Sequence, residues 1–244
     1  MVMPMSHVTG VRLAVLLPGT GSDEVFVTAA FGGPLRALGI PLLAPAPSPG
    51  VGVVDGYLRA LDRAAQGGDG LLVGGVSLGA QVAARWAAAS SSGLRLAGLL
   101  LALPAWTGPP GAAPAATAAA ASAAALRRDG LAATIETTRA RTPEWLGTEL
   151  ARAWRRHGDG LACSLEAAAA AVGPTEAELA GLRVPVGLAG LRDDPVHPLA
   201  VAQHWHDLTP RSALVTSTLA ALGRDRASIG RASVLAWLRA RALA

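Results

Sequence analysis

The chain has 244 residues, of which 51% are hydrophobic and 16% charged, and it contains one cysteine. This length fits one large globular domain or one domain with an insertion, and a single cysteine excludes an internal disulfide. All 21 basic residues are arginine and the formal net charge is only +4. The pI near 10.8 arises because only Cys163 and Tyr57 titrate between the amino terminus and arginine, so it does not indicate a nucleic-acid partner.

No targeting or membrane-spanning segment is apparent. The first residues lack a basic region followed by an apolar one. The longest apolar run, Leu94 to Trp106, is interrupted by Arg95 and Pro104 and is too short to span a bilayer. We therefore expect a soluble, cytoplasmic protein; the oligomeric state is left open.

Short apolar runs alternate with segments that favour helix, which is typical of a mostly parallel sheet covered on both faces. None of the runs alternates with polar residues, so we expect strands buried on both sides. The predicted strands are Val11–Leu17, Ile40–Ala44, Gly70–Val73, Leu96–Leu103, Val184–Leu188 and Ala213–Ser217. The predicted helices lie near Glu24–Leu38, Val54–Ala65, Leu78–Ser90, Pro198–Leu208 and Ile229–Ala242.

Residues 104–182 are too many for an ordinary crossover and predict an insertion. The alanine-rich tract 112–125 favours helix rather than a linker, and Trp145 and Trp154 follow it at a spacing of nine. Seven arginines are interleaved with five acidic residues over 127–159, which indicates solvated helix faces. We expect a helical cap over 104–182, a core over 11–103 and 183–243, and a tail over 1–10.

The third predicted strand runs into Gly75-Val76-Ser77-Leu78-Gly79, a Gly-x-Ser-x-Gly motif followed by a helix-forming run. So short a motif also arises by chance as a plain glycine-rich turn, and its setting between strand and helix decides in favour of a nucleophile. A tight strand-to-helix turn lifts the Ser77 hydroxyl above the carboxyl edge of the sheet. The Leu78 amide and the helix dipole then face charge that develops there.

A second oxyanion donor is expected from the loop after an earlier strand, where Pro18-Gly19-Thr20-Gly21 stands. The alternative is a plain βα turn or half a dinucleotide motif, but the third glycine of that motif is missing. In these segments the chain resembles the α/β-hydrolase superfamily of serine esterases and lipases. The resemblance implies that the amide of Thr20, or else that of Gly21, is the second donor.

The resemblance also implies an acid after the penultimate strand, where the chain reads Arg192-Asp193-Asp194-Pro195-Val196-His197-Pro198. Alignment of the Asp-Pro pair selects Asp194, with Asp193 as second choice and a simple helix cap as the alternative. The superfamily's histidine is expected after the last strand, but the chain has none beyond His206 and carries Gly223-Arg224 there. Guanidinium cannot act as a base, so the triad is expected to be incomplete or relocated.

Each remaining histidine has an ordinary interpretation. His197 is the best replacement base because it follows Asp194 by three positions, although a loop residue that positions the acid is the plainer view. His204 and His206 lie two apart on one helix and do not predict a metal site, and His157 is placed as a cation near a helix end. His7 precedes the first strand, and Cys163 is expected to be a small core residue.

The sequence therefore predicts a capped α/β-hydrolase-fold serine hydrolase that acts on a small carboxylic ester or thioester through Ser77 and Asp194, without metal or cofactor. Acyl transfer or perhydrolysis in the same cleft stays open. The alternative is a catalytically impaired member of the fold that binds a small ligand or partner, with Arg224 paired to Asp194 or to a carboxylate ligand. Trp106, just past the fourth strand, is the tryptophan expected to border the cleft.

Overall fold

The structure, a computed structural model, describes residues 10–90 and 95–243. Nearly all of the predicted tail 1–10, including His7, lies outside the described residues. Within them the strands are β1 (Leu13–Leu17), β2 (Leu42–Leu43), β3 (Leu71–Val76), β4 (Leu96–Ala102), β5 (Val186–Leu191) and β6 (Ser212–Ser217). They form one parallel sheet in the order β2-β1-β3-β4-β5-β6.

Helices connect these strands and cover both faces of the sheet, as the α/β prediction requires. They are α1 (Glu24–Arg36), α2 (Val53–Ala65), α3 (Leu78–Ala89), α4 (Pro114–Arg141), α5 (Glu144–His157), α6 (Leu161–Ala170), α7 (Glu176–Gly181), α8 (Leu199–Leu208), α9 (Leu219–Arg224) and α10 (Ala227–Ala242). A short 3₁₀ turn over Gly158–Gly160 joins α5 to α6.

The hydrophobic core forms two layers, one on each face of the sheet. On one face α1 and α10 pack Phe31 and Trp237 against β1, β3 and β4. On the other face α2, α3 and α8 contribute Tyr57, Leu78 and Trp205. All five side chains are at most 1% exposed, so each layer removes several large apolar side chains from water.

The expectation that the strands are buried on both sides is correct for β3 and β5 and wrong for β2 and β6. Every residue of β3 and β5 is buried, whereas five of the six residues of β6 are partly exposed and Leu43 of β2 is 43% exposed. β2 and β6 are the two edges of the sheet, where the helical layers end. Their apolar sequences therefore overstate their burial.

Helices α4, α5 and α6 form the predicted helical insertion between β4 and β5. The alanine-rich tract lies inside α4 from residue 114 onward, and α4 bends at Gly130, which has φ 78° and ψ 170°. The insertion has a small core of its own, which includes Ile135, Trp154 and Leu165. The segment predicted as a loop after β6 contains α9, because the Thr218 hydroxyl caps its first turn by accepting from the Ala221 amide at 3.1 Å.

Candidate active site

The carboxyl ends of β1, β3 and β5 lie at one edge of the sheet because all the strands are parallel. From β1 the chain passes first to β2 on one side and later to β3 on the other. This reversal makes a crevice between the loops that follow β1 and β3, which is where open α/β sheets bind ligands. Ser77 follows β3 directly and stands at that crevice.

Ser77 occupies a strained turn between β3 and α3. Its backbone has φ 53° and ψ −114°, which side-chain-bearing residues rarely adopt. The flanking glycines allow the turn, since a Cβ at Gly79 would lie 2.7 Å from the Pro18 carbonyl oxygen and one at Gly75 would lie 2.7 Å from the carbonyl carbon of Gly79. The Ser77 amide donates to the Ala102 carbonyl at 2.9 Å, which ties the turn to β4.

The loop after β1, residues 18–23, passes directly against this turn; because it contains Thr20, the predicted second donor, it is called the oxyanion loop below. A Cβ built on Gly19 would lie 3.4 Å from the Ser77 Cβ, and the Ser22 amide donates to the Gly19 carbonyl at 3.1 Å. Thr20 is the next residue in this turn. Leu78 opens α3, so its amide is among the first-turn groups that have no acceptor within the helix.

His197 joins Ser77 to Asp194. Its Nε2 lies 2.9 Å from Ser77 Oγ, and its Nδ1 lies 2.9 Å from Asp194 Oδ2. The other carboxylate oxygen of Asp194 accepts the amides of Val196 at 2.8 Å and His197 at 3.1 Å, which closes the loop into a tight turn. Pro195 favours extended backbone at Asp194, so the acid and the imidazole are fixed within one short segment.

The surroundings of Asp194 keep its carboxyl group ionised. Burial opposes the charge, since only 8% of the side chain is exposed, but the hydrogen bond and charge of His197 and the two backbone amides outweigh it. Together they hold the pKa of Asp194 below its ordinary value of 3.8. An ionised Asp194 can accept a hydrogen bond from His197 Nδ1–H, and in the neutral tautomer that carries this proton Nε2 is an acceptor for the Ser77 hydroxyl.

The neighbouring charged residues point elsewhere. Asp193 Oδ1 accepts the Leu219 amide at 2.7 Å and so tethers α9 to the turn after β5. Arg224 is exposed, and the Asp194 carboxylate is occupied by His197 and the backbone amides. The alternative in which Arg224 pairs with Asp194 is therefore wrong, because α9 carries that arginine to the surface.

The other described histidines contact residues other than Ser77 and Asp194. His204 contacts Glu176 on the surface at 3.2 Å, and His206 Nδ1 lies 2.7 Å from Ser212 Oγ. His157 is the last residue of α5, the helix end at which it was predicted; it is 5% exposed, and its Nε2 lies 3.0 Å from the Ser22 carbonyl oxygen. Cys163 on α6 is partly exposed, so the prediction of a core position is wrong.

Trp106 is 7% exposed and packs on Ala105 and Ala116, with its indole N–H donating to the Ala171 carbonyl at 3.2 Å. Two cavities of about 320 and 270 Å³ lie elsewhere, one at the amino edge of the sheet and one on α4 beside Arg155. Neither is lined by Ser77 or His197.

The sequence did not reveal an ion-pair network that joins the insertion to the oxyanion loop. Arg152 of α5 makes two hydrogen bonds to Asp23, at 2.6 and 3.2 Å, and also pairs with Glu149. Glu149 in turn accepts from Arg226 at 3.3 Å. The view of this arginine-rich stretch as solvated faces holds for exposed Arg127 and is wrong for Arg152, whose side chain is 33% exposed and pairs with buried Asp23.

The chain has the α/β-hydrolase fold. Its features are a parallel sheet covered on both faces, a strained serine at the crevice between the loops after β1 and β3, and a helical insertion after β4.

Solved structures agree with this assignment at low sequence identity. A bromoperoxidase from Bacillus anthracis is 16% identical, with 94% of this chain and 93% of that chain covered at a TM-score of 0.70. An enol-lactonase from Burkholderia xenovorans is 16% identical over 94% and 92%, with a TM-score of 0.68. An esterase from a Rhodococcus species is 18% identical over 87% and 84%, with a TM-score of 0.62. Comparisons with family models and with curated proteins gave no match.

Among residues 10–90 and 95–243, no helix combines the length and apolar character needed to cross a membrane.

Proposed function

We propose that the protein is a serine hydrolase that cleaves a small carboxylic ester or thioester, with Ser77 as nucleophile, His197 as general base and Asp194 as the acid that orients it. The observation that carries the proposal is the pair of 2.9 Å contacts of one imidazole, to Ser77 Oγ and to Asp194 Oδ2. This is the geometry that proton transfer from a serine hydroxyl requires.

In the first step His197 Nε2 takes the hydroxyl proton while Ser77 Oγ attacks the acyl carbon. The amides of Thr20 and Leu78 are proposed as the donors to the oxyanion that forms, supported by the packing of the oxyanion loop on the Ser77 turn. His197 then gives its proton to the leaving alcohol or thiol. Water, activated by the same imidazole, hydrolyses the acyl-enzyme and restores Ser77.

Relocation of the base to the loop after β5 is preferred to a triad that lacks one. The binding-only alternative depended on Arg224 in place of a base, and Arg224 is exposed on α9. The residues 104–182 are proposed as the cap domain that restricts access to Ser77, with the core formed by 11–103 and 183–243.

A fluorophosphonate probe and a short p-nitrophenyl ester test this function. We expect the probe to label the wild type, and Ser77→Ala and His197→Gln to abolish labelling and turnover. His204→Gln is the matched control, because the side-chain contact described for His204 is with Glu176 at the surface. Equal labelling of wild type and Ser77→Ala, or a wild type inert to both reagents, would overturn the proposal.

A further inference from the structure

Four residues of α5 lie along the second half of the oxyanion loop and the start of α1, and we call them the α5 clamp. They are Arg152, Trp154, Arg156 and His157, and they contact Gly21, Ser22, Asp23 and Glu24. The contacts follow one another along the backbone that directly succeeds Thr20. They join the inserted helices to the segment that supplies a proposed oxyanion donor.

The clamp begins at Gly21 and Ser22. Gly21 has φ 64°, and a Cβ built on it would lie 2.8 Å from Trp154 Nε1, so the indole packs directly on the loop backbone. His157 Nε2 lies 3.0 Å from the Ser22 carbonyl oxygen, and the imidazole N–H donates to it. Trp154 and His157 are 4% and 5% exposed, so both contacts are made in the interior.

The clamp continues through two ion pairs. Asp23 is 1% exposed, caps α1 by accepting the Phe26 amide at 3.1 Å, and accepts two hydrogen bonds from Arg152. Arg156 lies 3.6 Å from Asp23 and also pairs with Glu24. Burial disfavours the Asp23 charge, but Arg152 and the Phe26 amide outweigh it and lower the pKa of Asp23.

The helix that carries the clamp is also joined, through Glu149, to the segment that links α9 and α10. Glu149 bonds both Arg152 and Arg226, and Arg226 donates to the carbonyls of Leu222 at 2.9 Å and Gly223 at 2.6 Å. The Arg226 guanidinium also lies 4.4 Å from the centre of the Trp145 ring. Helix α5 is therefore a fixed support between the oxyanion loop and the carboxyl end of α9.

The oxyanion loop needs such support. Its glycines leave the backbone conformationally free, and its internal hydrogen bond joins only Ser22 to Gly19. A donor that must point at a developing oxyanion loses most of its effect when its position varies by a fraction of an ångström. The first half of the loop packs on the Ser77 turn at Gly19, and the second half, from Gly21 to Asp23, is contacted by α5.

We infer that the α5 clamp positions the Thr20 amide for catalysis, with Arg152 as the principal positioning residue through its paired hydrogen bonds to Asp23. The inference rests on the proposed hydrolase function. It assigns the insertion a part in transition-state stabilisation in addition to covering the site. Arg152 acts through Asp23 and the loop backbone and does not contact the substrate.

The test compares Arg152→Gln with Arg127→Gln. Each variant removes one arginine of the insertion that pairs with a carboxylate. Arg152 pairs with Asp23 of the oxyanion loop, whereas Arg127 pairs with Glu166, joins α4 to α6 and does not contact that loop. For Arg152→Gln we expect kcat for a p-nitrophenyl ester to fall about 10- to 100-fold with KM within about threefold, as for partial loss of an oxyanion donor. Arg152→Lys is expected to recover part of kcat, and Arg127→Gln is expected to keep it.

Amide hydrogen exchange of residues 19–24 gives a readout that does not depend on turnover. We expect exchange to become faster in Arg152→Gln and to stay unchanged in Arg127→Gln. A kcat of Arg152→Gln equal to that of the wild type, or a rise in KM with kcat unchanged, would overturn the inference while leaving the hydrolase function intact. An inert wild type would overturn the hydrolase function and the catalytic role of the clamp with it, whereas unchanged exchange would overturn the clamp itself.

Discussion

Replacement of Asp194 by asparagine isolates the role of its carboxylate from its role in the turn. In the Asp194→Asn variant the side-chain amide oxygen still accepts from the amides of Val196 and His197, so the loop is expected to survive. The new NH₂ group, however, takes the place of Oδ2, which in the wild type lies 2.9 Å from His197 Nδ1 and accepts a hydrogen bond from it. The imidazole must then accept at Nδ1 and carry its proton on Nε2, and an Nε2–H cannot take the proton of Ser77.

Loss of the correct tautomer in a triad of this geometry costs about 10⁴-fold in kcat, or about 5 kcal/mol of transition-state stabilisation. We expect that loss for Asp194→Asn in p-nitrophenyl ester hydrolysis, with the melting temperature lowered by no more than a few degrees. Asp193→Asn is the matched control: it retains an acceptor for the Leu219 amide and is expected to keep kcat within about threefold. A loss below tenfold for Asp194→Asn, or an equal loss for both variants, would refute the assignment of the acid.

Three further predictions concern the framework. Gly79→Ala is expected to lower the free energy of unfolding by about 2–3 kcal/mol in urea titrations, because the new Cβ would lie 2.7 Å from the Pro18 carbonyl oxygen. The control Gly32→Ala meets only ordinary contacts in α1 and is expected to raise the free energy of unfolding by about 0.5–1 kcal/mol. Equal effects of the two substitutions would contradict this explanation. The pKa of Asp23 lies below its ordinary 3.8, so ionised Asp23 stabilises the fold above pH 3.8 and this contribution is lost as the pH falls through the lowered pKa. The difference in the free energy of unfolding between wild type and Asp23→Asn should therefore become smaller as the pH is lowered from 7 to 3. A difference that stays constant would count against the ion pair. Trp237→Ala is expected to cost about 3–5 kcal/mol, since this side chain is fully buried, and a cost under 1 kcal/mol would show that α10 does not anchor the core.

Much of the fold could be predicted because apolar runs and glycine punctuation report directly on buried strands and turns. The predicted strand Leu96–Leu103 differs from β4 by one residue, and the alanine tract that favours helix is in α4. Burial at the edges of the sheet could not be predicted, because the extent to which the helical layers cover β2 and β6 depends on tertiary packing. Helix α9 was missed because six residues are too few to show a periodic pattern.

The candidate site was predictable where chemistry depends on neighbours in the chain. The strained turn at Ser77 follows from its glycines, and the Asp-Pro pair selected Asp194, whose carboxylate contacts His197. The position of His197 three residues after Asp194 made it the best replacement base, but its contact with Ser77 could not be derived, since 120 residues separate them and the family resemblance placed a base after the last strand. The partnership of Asp23 and Arg152 could not be predicted, since 129 residues separate them and neither lies in a recognisable motif.

The turn after β5 carries both Asp194 and His197, three positions apart and bridged by the same carboxylate. In an arrangement that draws these two groups from separate loops, any sliding of one strand past another would pull them apart. Here a shift of β5 would carry both together, so their mutual alignment is set by local backbone geometry and is complete as soon as that turn closes. In the proposed mechanism the stretch between β6 and α10 therefore takes no part in proton transfer, and its contacts with Asp193 and, through Arg226, with Glu149 serve to hold the fold.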